Sequence, residues 1–313
     1  MTAAVQTIGL TKQFGDVRAV NGLDLRIEAG EVFGVIGSNG AGKTTTMRLM
    51  LDILRPTSGE VTVLGENPRV GGARLRARIG YLPGELQLDG RAKVGSLLEH
   101  YADISGRVPP GEIAQLCDRL GLDQSRRTKT LSKGNKQKLG LIQAFMHQPD
   151  LLVLDEPTSG LDPLLQQEFR LMVQEARDRG STVFLSSHVL SEIQHVADRV
   201  AVLRAGHLVT VSDVAALRDS ASRSVRVRIA GAQAAQVQHS LETVDGLHHI
   251  VVTPSESDLV ATFRIDHGLD AAVKLMAHWC VQDLVVEEPD LEQAVLSLYE
   301  GTDSAERHDN GGH

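Results

Sequence analysis

The chain has 313 residues, 42% hydrophobic and 23% charged, with a formal net charge of −8. This length exceeds one ordinary core and predicts a main domain plus a smaller one, while the acidic balance argues against general nucleic-acid binding. No apolar run approaches the roughly 20 residues of a membrane helix, the N-terminus lacks signal-peptide form, and Cys117 and Cys280 make no metal or redox motif.

Taken in order, Thr7 to Leu10 and Leu23 to Ile27 read as strands around a turn at Phe14-Gly15-Asp16. Phe14 is either a core aromatic beside a turn or a face on which a purine stacks. Ala29-Gly30-Glu31 turns into an apolar strand, Val32 to Ile36, followed by Gly37-Ser38-Asn39-Gly40-Ala41-Gly42-Lys43-Thr44 and a predicted helix from Thr45 to Leu54. Strand, G-x-x-x-x-G-K-[ST] loop and helix together predict capture of a nucleoside triphosphate. Gly37, Gly40 and Gly42 let successive N–H groups curl around phosphate, and the helix N-terminus adds its own donors. Lys43 supplies a point charge and the Thr44 hydroxyl a ligand for Mg²⁺.

Glu60 to Gly65 reads as an edge strand and turn, Ile79 to Leu82 as a further strand, and Val94 to Ile104 and Glu112 to Leu120 as helices. A further helix opens at Leu131-Ser132-Lys133-Gly134-Asn135, with Ser132 placed as its N-cap. Its basic surroundings are either a solvated face or a second anion site at a helix N-terminus. Leu151 to Leu154 is a fully apolar strand ending in Asp155 and Glu156: one carboxylate placed to hold Mg²⁺, the next to face a water attacking the γ-phosphate. Pro163 to Arg179 predicts an amphipathic helix, Thr182 to Ser187 a buried strand delivering His188, and Val200 to Val209 a hairpin.

These motifs resemble the nucleotide-binding subunits of ABC transporters over about residues 5–215. In family order they are the P-loop Gly37 to Thr44, the signature Leu131 to Asn135, the strand Leu151 to Glu156, the loop Ser159 to Asp162 and the switch histidine His188. The resemblance implies an α/β fold, a P-loop NTPase core with a mixed sheet and a helical subdomain at about 84–150, within a nucleotide-binding domain at 1–215. It implies ATP and Mg²⁺ as cofactors, with Phe14 stacking on adenine and Gly37 through Thr45 around the phosphates. Lys43, Glu156 and His188 are the catalytic candidates, and Thr44 and Asp155 the metal ligands. Ser132 and Gly134 are expected to contact phosphate held by a second chain, so two ATP sites need a homodimer or a paired ATPase subunit.

Two departures stand out. The family's Leu-Ser-Gly-Gly-Gln is here Leu131-Ser132-Lys133-Gly134-Asn135, and its mid-domain glutamine falls at Gly84, leaving Glu85, Gln87 or water to substitute. Both variants resemble the drug- and antibiotic-exporter branch, which implies an integral membrane permease as partner and a peripheral place on the cytoplasmic face of the cell membrane. The alternative is a soluble ATPase of this type acting in regulation or repair. Residues 216–302 read as strand–helix–strand–strand–helix–strand, a small ferredoxin-like α+β domain serving packing, dimerisation or ligand sensing. Pro289 to Leu296 reads as a terminal helix and 303–313 as a disordered tail.

Overall fold

A computed structural model describes residues 3–287, apart from positions 89, 107, 189, 221, 256 and 257. The expected terminal helix and tail lie outside the described residues. The chain divides into two compact units, meeting between Asp213 and Val214.

The first unit begins with β1 (Ala3–Phe14) and β2 (Val17–Glu28), then β3 (Val32–Ile36), α1 (Lys43–Met50) and β4 (Ser58–Val63). Next come α2 (Pro68–Arg76), β5 (Ile79–Leu82), α3 (Val94–Ser105), α4 (Glu112–Leu120) and α5 (Lys133–Phe145). The unit closes with β6 (Leu151–Asp155), α6 (Pro163–Asp178), β7 (Thr182–Ser187), the short α7 (Leu190–Ile193), β8 (Arg199–Arg204) and β9 (His207–Asp213). Between β5 and β6 the described residues form helices and turns, with no named strand.

Two sheets carry this unit. One is antiparallel, ordered β2-β1-β4; the other is ordered β5-β6-β7-β3-β8-β9 and is parallel except for β9. β3, β6 and β7 are buried along their whole length, as suits central strands covered on both faces. Phe33 and Phe184 meet at 6.2 Å between ring centres, and Met47, Leu49 and Met50 of α1 join them in a core shared with Val5, Leu10 and Ile27 of the antiparallel sheet. Each such fully buried side chain contributes about 2 kcal/mol of transfer free energy. On the other face, Phe145 of α5 meets Phe169 of α6 edge-on.

Capping sets where the helices start. Ser132 Oγ accepts from Asn135 N (3.3 Å), as its sequence position predicts, and Asp162 Oδ1 accepts from Leu165 N with Pro163 next in line. The sequence reading overlooked α2, although Asn67 and Pro68 supply the same signals there. The helix expected at Thr45 to Leu54 instead starts at Lys43 and stops at Met50, where Asp52 takes a positive φ of 55° and breaks the repeat.

The second unit comprises α8 (Val214–Ser220), β10 (Arg223–Ala230), α9 (Ala234–Glu242), β11 (Leu247–Ser255), β12 (Asp258–Ile265), α10 (Leu269–Met276) and β13 (Cys280–Val286). From β10 onward the expected order of elements holds. Its antiparallel sheet is ordered β11-β12-β10-β13, the ferredoxin-like arrangement. The alternation in β10 buries Val225, Val227 and Ile229 with Phe263, Val237 and Leu241, leaving Arg226 and Arg228 outside.

Candidate functional site

Three elements end together at the C-terminal edge of the parallel sheet. β3 feeds Gly37 to Gly42, β6 ends at Asp155, and β7 ends just before His188, with β6–β7–β3 as direct neighbours. Open parallel sheets bind ligands at this edge.

The loop needs its glycines for two different reasons. Gly40 and Gly42 have φ of 82° and 104°, backbone that side-chain-bearing residues rarely adopt. Gly37 lacks a positive φ; a Cβ there would meet Leu203 O at 2.3 Å. Ala41 N donates to Ser38 O, closing the turn, and α1 begins at Lys43 with no side chain capping it. Its first N–H groups and positive dipole end therefore face the loop.

Lys43 is buried, at 6% exposure, and its Nζ donates to Gly37 O (2.7 Å) and lies 3.4 Å from Ser38 O. Burial pulls its pKa below the ordinary lysine value, partly offset by Glu156 and Asp155. Thr44 Oγ1 donates to Asp155 Oδ2 at 2.7 Å, and Ser186 Oγ donates to Asp155 Oδ1 at 2.7 Å. Asp155 is 1% exposed, so both hydroxyls matter to a carboxylate largely shielded from water. Glu156 is more open. Its carboxylate stands 4.0 Å from Lys43 Nζ on one side and 3.1 Å from His188 Nδ1 on the other.

Around this point lies a cleft of about 600 Å³ lined by Phe14, Asn39, Gly40, Ala41, Lys43, Thr44, Thr45 and Glu156, among others. Phe14 is 47% exposed at the cleft, with Lys12 Nζ 4.9 Å from its ring centre. Of the two readings of Phe14, the core aromatic is the one its exposure excludes. Gly84 lies beside Asp155: a Cβ at this position would come 3.1 Å from Asp155 Oδ2. Glu85 and Gln87, the suggested substitutes, are both exposed.

Ser132 and Gly134 are not among the residues lining the cleft. They start α5, where Gly134 packs on the Gly160 carbonyl; a Cβ on Gly134 would come within 2.9 Å of that oxygen. The signature residues thus stand at the start of α5, outside the cleft that the phosphate loop lines.

Sequence reasoning missed two residues here. Ser186, fully buried in β7, also accepts from Glu156 N at 2.9 Å. Gln137, 6% exposed, donates from Nε2 to Glu156 O (3.1 Å) and Pro157 O (2.9 Å). The signal for Gln137 was its position: it shares the buried row Gln137–Leu141–Phe145 of α5, where a polar side chain needs a partner.

A family model described as ABC transporter matches residues 20–159. The bacitracin transport ATP-binding protein BcrA of Enterococcus faecalis is 36% identical over 220 residues, covering 69% of this chain and 71% of that protein. The daunorubicin/doxorubicin resistance ATP-binding protein DrrA of Streptomyces peucetius is 33% identical over 312 residues, 95% of this chain and 92% of that protein. Among solved structures, an ATP-binding subunit of an ABC transporter aligns with a TM-score of 0.64 and 25% identity, covering 69% of this chain and 92% of that one. A dimeric ATP-binding cassette in a post-hydrolysis state, bound to ADP and Pi, shares the fold with a TM-score of 0.62 at 19% identity, over 67% of this chain and 98% of that one. The chain belongs to the ATP-binding subunits of ABC transporters, a family of ATP hydrolases.

Proposed function

We propose that this subunit hydrolyses ATP in a composite site shared by two chains and so powers a separately encoded membrane permease that exports a drug, antibiotic or similar small molecule. The observation that carries this reading is that the signature residues do not line the phosphate-loop cleft. Loop, lysine and carboxylates line or border one cleft, while Ser132 and Gly134 stand apart from it on α5. A second chain supplies the missing half, either another copy or a paired ATPase subunit.

On this reading Phe14 stacks on the adenine, and the N–H groups of Gly37 through Thr45 hold the phosphates with Lys43. Thr44 and Asp155 offer hard oxygen donors 2.7 Å apart, a donor set that suits Mg²⁺, which when bound offsets charge on the transferring phosphoryl group. Glu156 takes the proton of the attacking water, and His188, 3.1 Å away, holds that carboxylate in place. Ser132 and Gly134 of the other chain close the far side of the γ-phosphate with donors present before reaction begins. Dimer closure on binding and release on hydrolysis move the permease.

Among the described residues no helix is long and apolar enough to cross a membrane, which fits a subunit attached to the cytoplasmic face through a partner. The exporter assignment draws on DrrA, whose similarity spans both units of this chain.

The test is affinity purification of the tagged chain from detergent-solubilised membranes. A multi-span membrane protein recovered in stoichiometric amount, whose presence changes ATP turnover, is the expected result. Recovery of the chain alone, with no membrane-bound fraction, overturns the transporter reading in favour of a soluble ATPase.

A further inference from the structure

The backbone of Glu156 is held from two sides. Its φ of 49° is unusual for a residue with a side chain, and such a conformation persists only where surrounding contacts impose it. From β7, Ser186 Oγ accepts the Glu156 N–H at 2.9 Å. From α5, Gln137 Nε2 donates to the Glu156 carbonyl at 3.1 Å and the Pro157 carbonyl at 2.9 Å. Two facing carbonyls demand a donor, which fixes the amide with its nitrogen inward.

The same helix touches this segment again closer to its start. Gly134 sits against the Gly160 carbonyl, and the Lys133 stem is close enough that a Cβ on Gly160 would lie 3.5 Å from it. The first turns of α5 and the run from Glu156 to Gly160 therefore pack as one body. Ser132 caps that helix at its outer end.

We propose that Gln137 is a positioning residue for hydrolysis, transmitting the placement of the Ser132–Gly134 helix start to the Glu156 carboxylate. The inference rests on the composite-site reading above. Under it, Ser132 and Gly134 serve the partner chain's nucleotide and Glu156 serves its own. Gln137 then links the two sites: docking of α5 on one nucleotide sets the base that acts on the other.

The experiment compares Gln137→Met, which keeps length but has no donor, with Gln137→Asn, which keeps the amide one methylene short and carries the test if the methionine variant does not fold. Each is made in the wild-type and the Glu156→Gln background. ATP affinity is read by fluorescent-ATP titration, turnover by phosphate release, and dimerisation by size exclusion with saturating ATP. Loosening a catalytic group by a fraction of an ångström predicts a loss in kcat of about 10- to 100-fold. Affinity should change by less than about 2-fold, with ATP-dependent dimers still formed. In the Glu156→Gln background the same change should cost nothing further, because both act through one carboxylate. Unchanged kcat, or an equal loss in both backgrounds, overturns the role of Gln137. If Glu156→Gln alone turns over normally or gives no ATP-dependent dimer, the composite-site reading fails instead, whatever Gln137 does.

Discussion

His188 Nδ1 lies 3.1 Å from a carboxylate oxygen of Glu156, although the two residues follow different strands. The other oxygen of that carboxylate stands 4.0 Å from the Lys43 ammonium. Glu156 is thus bracketed by the residue that begins α1 and the residue that follows β7. Its orientation depends on three neighbouring strands staying in register, which the fully buried β3, β6 and β7 secure.

Replacing either member of the pair should separate binding from chemistry. Glu156→Gln should lose about 10²- to 10⁴-fold in turnover, the usual contribution of a positioned base, and accumulate ATP-bound dimers. His188→Ala should bind ATP normally and hydrolyse it poorly. Phosphate release with parallel ATP titrations measures both, and normal turnover by His188→Ala removes the orienting role.

Lys43 is a conflict between stability and function. Removing it takes away a charged donor to the phosphates, so Lys43→Ala should weaken ATP binding by about 10- to 100-fold, the range for a charge-assisted hydrogen bond. Burial lowers its folded-state pKa, so the unfolded chain holds that proton more tightly. The penalty is full below the lowered value and fades as pH rises toward the ordinary lysine value. Urea unfolding without nucleotide should show this upward slope in the wild type and a flatter one in Lys43→Ala. Equal slopes reject the assignment to Lys43.

Most of this site was legible because spacing carries it. A Gly-rich loop between an apolar strand and a helix, and carboxylates closing a second apolar strand, need no tertiary information to be recognised. Gln137 and Ser186 were not: the buried row of α5 marks Gln137 as needing a partner without naming it, and a strand serine has no such mark; their partners lie 20 and 31 residues away. The roles of the loop glycines were legible only in part. Gly40 and Gly42 answer to backbone conformation, whereas Gly37 answers to Leu203, contributed by a strand far along the chain. In the second unit, strand alternation revealed the ferredoxin-like order but no chemistry.

Gly84 tests how closely Asp155 must be held. A methyl at this position would lie 3.1 Å from Asp155 Oδ2, the oxygen bonded to Thr44, and would press it aside by a few tenths of an ångström. Gly84→Ala should therefore raise the Mg²⁺ concentration needed for half-maximal hydrolysis by about 10-fold, the lower end of the about 10- to 100-fold cost of disturbing the surroundings of a metal ligand. The unfolding midpoint should scarcely change. A Mg²⁺ dependence identical to wild type shows that Asp155 tolerates the methyl without losing its hold.

Gly37 and Gly40 separate crowding from backbone strain within one loop. At Gly40 a Cβ meets nothing within 4 Å, but φ is 82°, so alanine there costs about 1–2 kcal/mol in backbone conformation alone. At Gly37 the conformation is ordinary, yet a Cβ would lie 2.3 Å from Leu203 O and 2.8 Å from the Ala41 Cβ. Leu203 belongs to β8, which pairs with β3, and the turn after β8 is tied to the loop through Gly206 N and Ala41 O. The methyl cannot be relieved by a side-chain rotation; strand or loop must move. Gly37→Ala should therefore cost at least the about 1–3 kcal/mol typical of overpacking, and should distort the phosphate loop as well. Denaturant titration ranks the two variants, and the ATP affinity of each shows whether the loop moved with the strand. Gly37→Ala matching Gly40→Ala in both measurements would show that β8 yields freely and that the close approach of Leu203 does not shape the loop.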